Sequence, residues 1–125
     1  MDNNSWIEYK KQIREKLKVF ALNILELSEI LPKSERGRIL NRQITRSGTS
    51  TYANYRASLR ARSKAEFFAK LSITVEEADE TEMWLDLLIS SRISATELTK
   101  QLHAESSEII KILASMRKRL NQNKN

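Results

Sequence analysis

The chain has 125 residues, a one-domain length, and carries 22 Lys or Arg against 16 Asp or Glu for a net charge of +6. It holds no Cys, which excludes a disulfide framework and thiolate chemistry and suits a reducing cytoplasm. No apolar run approaches the roughly 20 residues that span a bilayer. The opening Met1-Asp2-Asn3-Asn4-Ser5 lacks the basic and apolar regions of a signal peptide, so a cytoplasmic protein is expected.

Two Gly and one Pro leave little material for hairpins, while Ala, Leu, Glu, Lys and Arg, the residues that lose least on entering a helix, are plentiful. The first predicted helix covers about 5–31. Trp6, Ile13, Leu17, Phe20, Ile24, Leu27 and Leu31 recur at steps of three, four or seven along one seam. Pro32-Lys33-Ser34 ends it. The second covers about 36–61, with an inward face of Leu40, Ile44, Ser47, Thr51 and Tyr55 and with Gly48 alongside. Gly48 costs about 1 kcal/mol relative to Ala in a helix, and so small a face lets a neighbouring helix approach closely.

Ser63-Lys64-Ala65-Glu66 has the form of a capping box and opens a third helix over 64–91, with Phe67, Leu71, Thr74, Ala78, Thr81, Leu85 and Leu88 as its seam. Ser94-Ala95-Thr96-Glu97 has the same form and opens a fourth over 95–121, with Leu98, Leu102, Ile109, Leu113, Met116 and Leu120 inward. Helices of similar length joined by short connections pack as antiparallel neighbours. The expected fold is all-α, one up-down-up-down antiparallel four-helix bundle, with each helix roughly 40 Å long.

Charge is distributed unevenly. Residues 33–70 hold ten Lys or Arg against Glu35 and Glu66, a net of +8. Residues 71–110 hold nine acids against Arg92 and Lys100, a net of −7. On the second helix Arg38 and Arg56 fall in line, as do Arg42 and Arg60, and Arg46 lies about 40° further round. These five share a strip about 80° wide and roughly 33 Å long, opposite Leu40, Ile44 and Thr51. Arginine suits bidentate phosphate contact, so the strip is a candidate track for RNA or DNA, with Tyr52 beside it. The competing expectation is that these arginines pair with the acidic third helix, within or between subunits.

The third helix carries a second apolar set opposite its seam: Ile73, Met83, Trp84 and Leu87, with Glu76 and Glu80 among them. A bundle helix needs one apolar face. A second one containing a Trp is a candidate oligomer interface, and its alternative is a wide core face that takes in Trp84. No catalytic or metal site is expected. The single histidine, His103, is preceded three residues earlier by Lys100 rather than Glu, and it reads as a solvated helix residue. No phosphate-binding Gly-rich loop is present, and neither a cofactor, a small-molecule substrate nor a membrane is implied.

Several dispersed blocks match one family in order: Arg46-Ser47-Gly48-Thr49-Ser50, Ala53-Asn54-Tyr55-Arg56, Arg62-Ser63-Lys64-Ala65-Glu66-Phe67, Lys70-Leu71 and the run from Glu77 to Leu85. In these the chain resembles the small "four helix bundle protein" family, which includes the 23S ribosomal RNA intervening-sequence proteins. It departs from the commoner family form at Thr51-Tyr52, where small or Pro-containing pairs are frequent. The resemblance implies an up-down bundle assembled into a homo-oligomeric ring, typically a pentamer, without established enzymatic activity. A more distant likeness is to the basic, pentameric accessory protein of diversity-generating retroelements, which binds nucleic acid and a reverse transcriptase. The expected function is therefore that of a non-enzymatic, homo-oligomeric nucleic-acid-binding accessory protein. The alternative is an oligomeric protein-interaction scaffold with no nucleic-acid role.

Overall fold

The computed structural model describes residues 2–122. It contains α1 (Asn3–Ile30), α2 (Glu35–Leu59), α3 (Lys64–Ser90) and α4 (Glu97–Gln122). Each helix packs on its neighbours in chain order, and the ring of contacts closes least tightly between α4 and α1. This is the antiparallel four-helix bundle that the periodicity predicts.

The termini follow from local hydrogen bonding. Asp2 caps α1 by accepting the Ser5 N–H at 2.7 Å, a bond that holds its carboxyl below the usual carboxylate range. Ser34 caps α2 through the Gly37 N–H, and Ser63 caps α3 through the Glu66 N–H at 3.1 Å. The fourth start differs from expectation. The cap of α4 is Thr96, whose hydroxyl accepts the Thr99 N–H at 3.2 Å, so the helix begins at Glu97. Ser94 instead completes the end of α3: its N–H reaches the Leu88 carbonyl after Arg92 turns the chain at φ 64°. Its hydroxyl points inward to Thr99 at 2.7 Å.

The core is the predicted seam. Leu17, Ile24 and Leu27 of α1, Ile44 and Tyr55 of α2, Leu71, Leu85 and Leu88 of α3, and Leu102 and Leu113 of α4 are fully buried. Trp6, Leu40, Phe67, Leu98 and Leu120 are half-buried around it. Hydroxyl residues share this interior: Ser47, Thr51, Ser58, Thr74, Thr81, Thr99 and Ser106 are also buried. Most turn their protons back to a carbonyl in the preceding turn, as Thr51 does to Ser47 O at 2.9 Å and Thr74 to Lys70 O at 2.9 Å. Across the α2–α3 seam the hydroxyls of Ser47 and Thr81 meet at 2.8 Å.

Close approach is concentrated on α2. A Cβ placed on Gly48 would lie 2.9 Å from Ile24 Cγ1 and 3.0 Å from Cγ2. Ile24 is fully buried and stiff at its branched Cβ, so it has no room to yield. At the start of the helix a Cβ on Gly37 would overlap the Pro32 carbonyl oxygen, because the α1–α2 turn folds tightly onto α2. One turn from the other end, Tyr55 reaches through the core and its hydroxyl donates to Lys10 O of α1 at 2.8 Å. Burial raises the Tyr55 pKa above its ordinary value, with the nearby Tyr9 adding to it against Arg14.

Gly48→Ala tests this packing with a clear sign. Helix propensity alone favours Ala by about 1 kcal/mol. Overpacking costs typically about 1–3 kcal/mol, and against a side chain as confined as Ile24 we expect the variant to be net destabilised in urea unfolding. Adding Ile24→Ala should show positive coupling, with the Gly48→Ala penalty removed in the cavity background.

Candidate nucleic-acid interface

The inward face of α2 fixes the direction of its arginines. With Ser47, Gly48, Thr51 and Tyr55 buried, the opposite side of the helix lies in solvent. Arg38, Arg42, Arg46, Arg56 and Arg60 are all exposed there. Among the described residues no carboxylate lies within ion-pair distance of Arg38, Arg42, Arg56 or Arg60. Arg56 sits over the Tyr52 ring, 5.7 Å from its centroid, a cation–π contact beside the strip.

Arg46 differs. Its guanidinium forks across to α3, reaching Glu77 at 3.2 Å and Glu80 through its other terminal nitrogen. The Glu80 carboxylate also accepts the Trp84 indole N–H at 3.0 Å. Burial pulls the Arg46 pKa down, but the Glu80 hydrogen bond and the charges of Glu77 and Glu80 outweigh it, and the pKa is raised. The expected strip is thus split: one arginine joins the α2–α3 seam, and the other four face solvent. Glu77, Glu80 and Trp84 stand at i, i+3 and i+7, the spacing of one helix face. That spacing, together with the 40° offset of Arg46, is the signal from which the network could have been read.

The predicted interface residues divide in the same way. Ile73, Met83 and Leu87 are exposed, at 44%, 39% and 41%. Trp84 is half-buried and leans on the core, its indole engaged by Glu80. The sequence reading omitted Ile39 of α2, which is exposed and lines a shallow apolar groove with Leu40, Leu87 and Ile93. This groove continues the apolar set of α3 onto α2. His103, expected in solvent, is half-buried on the α3–α4 seam, with Nε2 2.8 Å from a Glu82 carboxylate oxygen.

A small basic four-helix bundle with a cationic outer face on α2 and exposed apolar side chains on α3 and α1 is the class that this geometry defines. The chain belongs to the 23S rRNA-intervening sequence protein family, whose sequence model matches residues 9–115. It is similar to a Bacteroides thetaiotaomicron protein of unknown function, known by its crystal structure and described as from the S23 ribosomal protein family. The identity is 39% and the TM-score 0.79, over 85% of this chain and 98% of that one. No curated protein matches the chain.

The Arg46 network yields a measurable coupling. A double-mutant cycle with Arg46→Gln and Glu80→Gln should give about 1 kcal/mol, because the guanidinium is half exposed and solvent screens the pair. Raising salt should shrink it. Glu80→Gln should also change the emission of Trp84, whose N–H loses its charged acceptor.

Proposed function

We propose that this protein is a non-enzymatic, homo-oligomeric cytoplasmic bundle that binds RNA or DNA through the outer face of α2. The observation that carries this reading is the set of four exposed arginines, Arg38, Arg42, Arg56 and Arg60, aligned on one helix without an ion-pair partner among the described residues. A helix that presents guanidinium groups at repeated intervals meets a phosphate backbone without reading its sequence.

Assembly uses the other outer face. Ile73, Met83 and Leu87 of α3 and Ile39 of α2 are exposed apolar side chains that a second copy would cover, and a five-membered ring is the form that the family resemblance implies. In such a ring the arginine strips repeat around a shared perimeter, multiplying the phosphates contacted per particle.

Two measurements test this. Binding to mixed RNA and DNA should be tightest at low salt and fall steeply as salt rises, with a slope of about 0.9 per phosphate contacted on duplex DNA. Replacing Arg38, Arg42 and Arg56 together by Gln should weaken binding for all sequences alike and flatten that slope, leaving helicity intact. Unchanged binding would move the contact elsewhere. Loss of the oligomer in the same variant would assign the arginines to subunit contacts and favour the scaffold reading. Separately, Leu87→Glu should lower the particle mass in light scattering while circular dichroism stays helical. A particle of unaltered mass would remove this face from the interface.

A further inference from the structure

At one end of the bundle the start of α1, the α2–α3 turn and the end of α4 enclose a cleft of about 300 Å³, lined by Trp6, Lys10, Arg62, Lys64, Phe67 and Leu120 among others. Its volume is at the low end of ligand-sized clefts. Three cations line it and no carboxylate does. The Lys10 ammonium lies 5.5 Å from the centroids of both the Trp6 and the Phe67 rings, so one charge is held between two aromatic faces. The Arg119 guanidinium lies 4.4 Å from the Trp6 centroid. Arg62 has a distant carboxylate, Glu66 at 3.8 Å, and its side chain is 91% exposed, so that pair neutralises little.

We propose that this cleft binds unpaired nucleotides of a single-stranded nucleic acid: the phosphate draws the Lys10 ammonium off the rings to join Arg62 and Lys64, and a base takes the place that the ammonium leaves between Trp6 and Phe67. The inference rests on the reading that the protein binds nucleic acid, and it assigns a second contact that distinguishes single strands from duplexes. Aromatic faces attract flat π-systems and cations, and cations attract phosphates; a nucleotide carries a π-face and an anion one sugar apart. A duplex hides its base faces in the stack and can offer only its phosphates. The cleft also continues the strip. Arg56 and Arg60 stand on the last turn of α2 and at its cap, and Arg62 follows two residues later, so a strand lying along α2 is led to the aromatic end.

The test uses the full chain and short unlabelled oligouridylate, with a duplex of equal length as comparison. Single strands should quench tryptophan emission in the wild type, and this quenching should vanish in Trp6→Leu. Trp6→Leu should weaken single-strand binding between about fivefold and about a hundredfold, the range that one base–aromatic stack supplies, and leave duplex binding unchanged. Arg62→Gln with Lys64→Gln, both on exposed positions, should weaken single strands more than duplexes without disturbing the fold. Equal losses for single strand and duplex, or no change in either variant, would overturn the proposal. So would oligoglutamate binding as tightly as the oligonucleotide with the same dependence on Trp6, since charge alone would then explain the cleft. The two sites fail separately. If the α2 strip variant loses binding and the cleft variants do not, only this inference falls; if the reverse holds, only the strip does.

Discussion

The close approach of α1 and α3 to the small face of α2 sets the geometry on which the rest of the molecule depends. Gly48 admits Ile24 from one side, and Ser47 meets Thr81 on the other. A helix wedged on both sides cannot rotate about its axis without driving a backbone or a stiff branched side chain into its neighbour. Once that rotation is fixed, every side chain on α2 has a fixed direction. The arginines point outward because the only face small enough to fit between α1 and α3 is the one opposite them.

Such a face needs polar atoms to be safe in the interior, since serine and threonine supply the small volumes. An unpaired buried hydroxyl costs about 1–3 kcal/mol. Here each is answered by a carbonyl of the preceding turn or by another hydroxyl, and among the described residues no buried side-chain polar atom lacks a partner. Each seam then has its own tie. Asn41 donates to Ser28 O at 2.8 Å between α1 and α2, Arg46 forks onto α3, and His103 meets Glu82 between α3 and α4. The α4–α1 seam has the exposed pair of Lys16 and Glu108 at 3.1 Å, the weakest kind of tie, where the packing is also most open.

The heptad seams, the turn at Pro32 and the cap at Ser63 were legible because each is a local pattern whose physics acts within one helix or turn. The small face of α2 was legible for the same reason, as a gap in an otherwise bulky seam. The start of α4 was not. Ser94, Thr96 and Thr99 offer three hydroxyls within six residues, and the choice among them depends on the Ser94 N–H closing the end of α3, a condition that α4's own sequence does not contain. The Glu80 contact of Trp84 was hidden for a related reason. Its position on the wheel places it with Ile73 and Leu87, but the indole N–H reaches Glu80, which Arg46 in turn holds from α2. His103 misled because a lone histidine carries no periodicity; its partner, Glu82, is on another helix.

The charge separation along the sequence gains its meaning from helix rotation. Segments of opposite sign that are adjacent in a bundle would be expected to neutralise each other. Here the neutralisation between α2 and α3 is confined to one arginine. Arg46 lies about 40° further round α2 than Arg42 and Arg60, on the side toward α3, and a guanidinium at that angle reaches Glu77 and Glu80. Arg38, Arg42, Arg56 and Arg60 stand further from α3 around the helix, and among the described residues none of them pairs with a carboxylate. Charge that could have been spent inside the chain is thus left on the surface by an angular offset. A field of several like charges on one rigid face acts on partners outside the molecule, and it acts most strongly on a partner with its own regular spacing of opposite charge.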